Sequence, residues 1–171
     1  MRRAVFLDRD GVINKAIIKN SRPLSPRIIE DFEIISEAEV ALKLFRDLRY
    51  INIIATNQPD IARGLMRQEA LDEMHNLIRE KLAVDDIFIC PHDDSDNCHC
   101  RKPKPGMIID AAVKWNIDLG SSYFIGDTWK DIYAGKAAGC LTILLERSYN
   151  ENLNSDYVIK TLLDATKIIK R

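Results

Sequence analysis

The residues best suited to chemistry fall in short clusters. The first is Asp8-Arg9-Asp10-Gly11, directly after the apolar run from Ala4 to Leu7. Two carboxylates with one residue between them suit a reaction in two displacements, one group capturing a phosphoryl unit and the other moving protons. A phosphate monoester repels nucleophiles through its own charge, so an ionised carboxylate needs a divalent cation beside it to approach. At about 4 Å two unit charges interact by roughly 4 kcal/mol at an effective dielectric of 20, which decides whether that approach occurs. Asp8 is therefore the candidate nucleophile. Asp10 is the candidate general acid and base, partly protonated for the acid step. Gly11 allows the tight backbone turn that carries both side chains to one point.

Three further clusters carry compatible groups. Thr56-Asn57 offers a hydroxyl and an amide to a phosphate oxygen, although the same dipeptide also suits a turn or helix cap. Arg101-Lys102-Pro103-Lys104-Pro105 places three cations in a segment stiffened by two prolines. A lysine there gives a compact charge for phosphoryl oxygens, and an arginine can grip a phosphate or sugar hydroxyl with two donors. The alternative is a solvated basic loop. In Gly126-Asp127-Thr128-Trp129-Lys130-Asp131, Asp127 is a candidate oxygen ligand for Mg²⁺, with Asp131 either a second ligand or the group that orients a ligand water. The competing structural role for Asp127 is a helix cap.

A different chemistry is written into Cys90-Pro91-His92 and Cys98-His99-Cys100. Three thiols and an imidazole match a closed, tetrahedral structural zinc site, although the Cys-x-Cys spacing is tighter than the common one. Cys90, His92, Cys98 and Cys100 are the expected ligands, with His99 the alternative to His92. The polar stretch 93–97 has nothing apolar to fold around, so metal ligation should supply its ordering energy. With no open coordination position, such a zinc shapes the rim of a site and performs no chemistry. Cys140 lies in an apolar context and reads as core.

These clusters need elements to position them. Apolar runs at 4–7, 51–55, 87–89, 123–125 and 141–145 read as buried parallel strands. Helical spacing recurs in Ala38–Leu48, Ala70–Leu82, Ile108–Trp115 and about 129–138, the last stopping near Gly139. Residues 157–159 read as a short edge strand before a final helix. Alternating strands and helices predict an α/β fold with a doubly wound, mostly parallel sheet. In such sheets ligands bind beyond the carboxyl ends of the strands, which is where the Asp8, Thr56, Cys90 and Asp127 clusters fall.

At 171 residues the chain is expected to be a single domain, 1–171, with the zinc loop at about 90–105. A net charge of −1 without a basic block argues against a nucleic-acid footprint. No apolar run approaches the roughly 20 residues of a membrane span, and the apolar N-terminal stretch is too short for a signal peptide. A cytoplasmic, monomeric protein acting on a small phosphorylated substrate is the expectation, with no membrane or nucleic-acid partner. The cysteines are then thiols or metal ligands rather than disulfides.

Taken together, Asp8-x-Asp10-Gly11-Val12, Thr56-Asn57, Lys102 and Gly126-Asp127-x-x-x-Asp131 resemble the four ordered motifs of the haloacid-dehalogenase superfamily of phosphatases. The segments FLDRDGVIN, TNQ…IARG and CPH…CHCRKPKPGM are similar to its zinc-loop branch, which holds heptose-bisphosphate and histidinol-phosphate phosphatases. The resemblance runs from Phe6 to about Leu145. It implies a Rossmann-like core without a separate cap domain, Mg²⁺ and Zn²⁺ as cofactors, and an aspartyl-phosphate on Asp8. Asp10 would be the acid and base, and Thr56, Asn57 and Lys102 would hold the phosphoryl group. Asp8, the Asp10 backbone carbonyl and Asp127 would bind Mg²⁺. The zinc loop would wall the substrate, with Arg101 touching its sugar or remote phosphate. Ile61-Ala62-Arg63-Gly64 points to a heptose 1,7-bisphosphate losing its 7-phosphate, with Arg63 on the substrate side. The short spacer between His92 and Cys98 points to histidinol phosphate instead, and Pro59-Asp60 departs from the Ser-Gly usual in the heptose enzymes. A zinc-organised binding module without turnover is the reading outside enzymology, against which the presence of both Asp8 and Asp10 speaks.

Overall fold

The computed structural model describes residues 1–151 and 153–170. Its centre is a six-stranded sheet in the order β5-β4-β1-β6-β7-β8, every pairing parallel. The strands are β1 (Arg3–Leu7), β4 (Tyr50–Asn57), β5 (Asp86–Cys90), β6 (Tyr123–Gly126), β7 (Leu141–Leu145) and β8 (Tyr157–Ile159). The chain builds outwards from β1 through β4 to β5, then returns to the other side of β1 with β6. The strand order therefore reverses between β1 and β6, the switch point where open α/β sheets hold their ligands.

Alternate residues of β1 face opposite sides, as the two-residue period of a strand demands. Val5 and Leu7 join a core with α1 (Ala38–Asp47), α2 (Gln68–Lys81) and the short α5 (Ala165–Ile168). Ala4 and Phe6 join a second core with α3 (Gly106–Trp115) and α4 (Trp129–Ala138). With helices on both faces the strands are apolar throughout, which is why they read as continuous runs in the sequence. Among the described residues no helix is long and apolar enough to cross a membrane.

Helix α4 stops at Gly139, whose φ of +88° gives the left-handed C-terminal cap that glycine adopts without strain. Cys140 is buried among the residues of the second core. Two features differ from the sequence reading. Strand β4 continues through Thr56 and Asn57, so these residues lie in the ladder instead of following it. A small antiparallel hairpin, β2 (Ile17–Lys19) with β3 (Arg22–Leu24), stands over the sheet edge that carries the polar clusters. Its six residues are mostly exposed and show no apolar alternation, leaving no periodic signal to read.

Candidate active site and metal-binding loop

The site begins where β1 ends. Asp8 follows Leu7, and its N–H still donates to the Ile125 carbonyl of β6 at 3.0 Å, so the backbone stays in register. The chain then turns sharply, with the N–H groups of Ile13 and Asn14 both donating to the Arg9 carbonyl at 2.8 and 3.1 Å. Gly11 has φ +88°, and a Cβ there would collide with the Asp127 carboxylate. Glycine is thus required twice over, for its dihedral and for the close approach of the β1 and β6 tips.

Lys102 reaches in from the loop before α3. Its Nζ donates to Asp8 Oδ1 at 2.8 Å and to Asp131 Oδ1 at 2.6 Å. Asn57 fixes the lysine by its backbone, accepting from the Lys102 N–H at 3.0 Å and donating to the Lys102 carbonyl at 3.0 Å. Asp131 is fully engaged, since its Oδ2 also accepts from the Thr128 N–H at 2.9 Å and hydroxyl at 2.6 Å. That capping box starts α4 and locks the acid in place.

Asp8, Asp127 and Asp131 each present an oxygen within 4.8 Å of the others. One lysine does not balance three carboxylates. Burial and then the Asp131 charge push Asp8 up to about 7, against the pull of Lys102. Burial, Asp131 and Asp8 likewise push Asp127 well above the carboxylate range. Tyr149 donates to Asp127 Oδ2, whereas Asp127 Oδ1 is buried without a hydrogen-bond partner among the described residues. A surplus of negative charge, hard oxygen donors and an orphaned buried oxygen together fit a divalent cation such as Mg²⁺.

Asp10 is held differently. It accepts from Arg9 Nη2 at 2.9 Å, Asn14 at 3.0 Å, Ser25 at 2.7 Å and Gln58 at 2.9 Å. Burial opposes its ionisation, but the Arg9 charge and these donors outweigh it and hold the pKa below the usual value. The expectation of a partly protonated Asp10 is therefore corrected for this resting arrangement, because four surrounding side chains all donate to the carboxylate. Arg9 is itself completely buried and donates to His75 Nε2 at 3.2 Å, which must be the acceptor because a guanidinium can only donate.

A cavity of about 420 Å³ opens over these groups. Asp8, Asp10, Asn57, Arg63, Arg101, Lys102, Asp127 and Asp131 all line it. Thr56 does not; it is buried, and its hydroxyl accepts from Gln58 at 2.9 Å. Arg63 and Arg101 border the cavity with their charges engaged. Arg63 is bidentate on Asp93 at 2.9 and 2.5 Å, and Arg101 Nε donates to Asp94 at 2.7 Å. Pro59-Asp60 also finds a structural use, since Asp60 is buried and accepts from Arg27 at 2.7 Å.

The second cluster lies just beyond β5. Cys90 and Cys98 sulfurs are 3.6 Å apart, Cys98 and Cys100 3.4 Å, and His92 Nδ1 lies 3.3 Å from Cys100 and 3.7 Å from Cys90. Bonds near 2.3 Å in a tetrahedron give edges of about 3.8 Å, so these four atoms surround a space suited to zinc. His99 is excluded from it by its position, side chain out and Nε2 paired with Asp110 at 3.1 Å. The intervening residues are tied down by cations as well as by the cluster. Besides Arg63 and Arg101, Lys104 donates to Asn97 Oδ1 at 2.9 Å and the Cys98 carbonyl at 2.7 Å.

Sequence reasoning missed the four side chains that donate to Asp10, and Tyr149. Gln58 continues the Thr56-Asn57 motif and could have been read from it. Ser25 and Tyr149 come from segments without any local signal.

Residues 99–165 match the family model described as HAD-hydrolase-like. The D-glycero-alpha-D-manno-heptose-1,7-bisphosphate 7-phosphatase of Photorhabdus laumondii is 39% identical, over 98% of this chain and 97% of the relative. The D-glycero-beta-D-manno-heptose-1,7-bisphosphate 7-phosphatase of Pasteurella multocida is 31% identical over 99% and 98%. The crystal structure of D,D-heptose 1,7-bisphosphate phosphatase from B. bronchiseptica, complexed with magnesium and phosphate, superposes with a TM-score of 0.84 at 27% identity, covering 97% of each chain. This chain belongs to the HAD-like phosphatase family, in the group formed by these heptose-bisphosphate phosphatases.

Proposed function

We propose that the chain, acting as one catalytic unit over residues 1–171, is a Mg²⁺-dependent phosphatase that removes the 7-phosphate of D-glycero-D-manno-heptose 1,7-bisphosphate. The observation that carries the reading is the placement of Asp8 at the switch point, in reach of Lys102, Asp127 and Asp131. The curated relatives of similar length and full coverage support the substrate.

Asp8, the Asp10 carbonyl and Asp127 would hold Mg²⁺, with Asp131 positioning Lys102. Bound there, the cation supplies charge neutralisation between the carboxylate and the phosphate. An Asp8 carboxylate oxygen bonds to phosphorus as the bond from phosphorus to the sugar oxygen breaks. The leaving oxygen takes a proton from Asp10, and Lys102 stabilises the charge on the transferring oxygens. An incoming phosphate anion raises the pKa of Asp10 by like-charge repulsion, which lets a group ionised at rest carry the proton. Water then gives its proton to Asp10 and attacks phosphorus, the bond to Asp8 breaks, and phosphate leaves. Zn²⁺ bound by Cys90, His92, Cys98 and Cys100 would hold the rim without taking part in bond making.

The test is a steady-state comparison of the heptose bisphosphate with histidinol phosphate in the presence of Mg²⁺. The expected result is a kcat/KM at least about 10²-fold higher for the bisphosphate, the discrimination available when polar groups of the site lack their partner. Equal rates, or a preference for histidinol phosphate, contradict the substrate while leaving the phosphatase chemistry standing.

A further inference from the structure

The cations around the cavity divide into two sets. Lys102 is bonded to Asp8 and Asp131, Arg63 to Asp93 with Asp60 at 3.5 Å, and Arg101 to Asp94. Two more cations line the same wall, Arg22 and Lys130. Among the described residues neither has a carboxylate within 4.0 Å, and no side-chain hydrogen bond holds either one. Arg22 opens β3 on the exposed hairpin, and Lys130 is the second residue of α4, half-buried beside the Trp129 ring at 5.8 Å from its centre. Both also line a second cavity of about 630 Å³, which shares Pro23, Asp127 and Thr128 with the first. They therefore stand on the ridge between two connected spaces.

From this we infer that Arg22 and Lys130 form the subsite for the substrate's second, non-reacting phosphate. The inference rests on the bisphosphate reading above and names the residues that select for it. The charge accounting carries it. A bisphosphate brings one phosphate to Asp8, Lys102 and the cation, and its other phosphate needs positive partners that are not already neutralised. Arg63 and Arg101 keep N–H donors to spare, but their charges are already paired with Asp93 and Asp94 and so offer less net attraction to a second phosphate. Arg22 and Lys130 have no carboxylate within ion-pair distance among the described residues to give up. The arginine can offer two donors to one phosphate and the lysine a point charge, and the two come from separate elements, so they can close on an anion from two sides. Binding energy gathered at this remote group would be spent on orienting the scissile phosphate.

The test uses the full chain with Mg²⁺ and Zn²⁺ and the variants Arg22→Ala, Lys130→Ala and the double substitution. Each is assayed on the heptose bisphosphate and on p-nitrophenyl phosphate, which has no second phosphate. Arg22 is exposed and alanine is a good helix former at position 130, so the variants should fold, which a thermal melt checks. The expected result is a kcat/KM for the bisphosphate reduced about tenfold by each single change and roughly 10²-fold by both, expressed mainly in KM. The loss for p-nitrophenyl phosphate is at least tenfold smaller. Equal losses on both substrates would place the residues in the general machinery and overturn the inference, as would a bisphosphate preference that survives the double substitution. A wild-type protein that turns over p-nitrophenyl phosphate but shows no preference for the bisphosphate overturns the substrate reading and this subsite with it.

Discussion

The strand-tip carboxylates and the cysteine loop each gather groups that could hold a cation, and they are positioned by opposite means. Asp8 and Asp127 extend β1 and β6, neighbours paired from Val5–Tyr123 to Leu7–Ile125 and backed by a core on each face. Their geometry is fixed by burial, and what they lack is charge balance. Residues 94–97 of the loop are exposed and contribute nothing to either core. There Asp93 and Asp94 are paired with Arg63 and Arg101, Asn97 accepts from Lys104, and what is lacking is an apolar anchor. On the proposed reading, a metal at the first site would compensate charge in a frame that already exists; at the second it would complete the frame. Loss of metal should therefore silence the first region without disordering it, and disorder the second without abolishing the chemistry.

The sharpest way to break this contrast is Asp8→Asn. Turnover should fall by about 10⁴-fold or more, the scale seen when a nucleophile is removed. The melting temperature should hold or rise, because one of three mutually repelling buried carboxylates has gone. A variant that keeps substantial activity, or that melts far lower, removes the distinction between charge and frame. Asp10→Asn should cost about 10²–10⁴-fold in kcat, the range for losing a general acid and base, with zinc content by metal analysis unchanged. A variant that loses zinc as well would mean the two regions are not independent.

Cys98→Ser is the converse. Bound zinc should be lost, proteolysis should appear within residues 93–97, and KM should rise by about 10–10²-fold through misplacement of the rim. Full zinc retention shows Cys98 is not a ligand, and a collapse of kcat to the Asp8→Asn level shows the loop does more than shape the rim. The smallest expected effect concerns the support behind Asp10. Burial, then the Arg9 charge, lower the pKa of His75 from 6.5 to about 3. Between those values the unfolded chain binds a proton that the native chain does not, so stability falls as pH drops from about 6.5 toward 3, by at most about 1.4 kcal/mol per pH unit. His75→Gln should flatten that slope in denaturant titrations, and an unchanged slope would mean His75 is protonated in the fold.

The contrast also accounts for what could be read from sequence. Strand tips are legible because a buried strand is a continuous apolar run that ends abruptly, as at Leu7-Asp8 and Gly126-Asp127. The convergence of Cys90, His92, Cys98 and Cys100 is legible because cysteine and histidine spacing is itself the signal. The surroundings of Asp10 are not, since Ser25 and Gln58 lie 15 and 48 residues away along the chain and meet it only after folding. For the same reason the acid role read for Asp10 predicts a partly protonated carboxyl, whereas the folded environment stabilises the carboxylate. The hairpin bearing Arg22 escaped because its strands are three residues each and exposed, held by the turn and the site rather than by a core.

In the proposed mechanism Asp8 carries the phosphoryl group during turnover. This is tested most directly by quenching the reaction, reducing any acyl phosphate with borohydride and mapping the modified residue by peptide mass spectrometry. Homoserine is expected at position 8 and nowhere else. Homoserine at position 10 or 127, or none in an enzyme caught in steady state with its phosphoryl intermediate demonstrably accumulated, contradicts it.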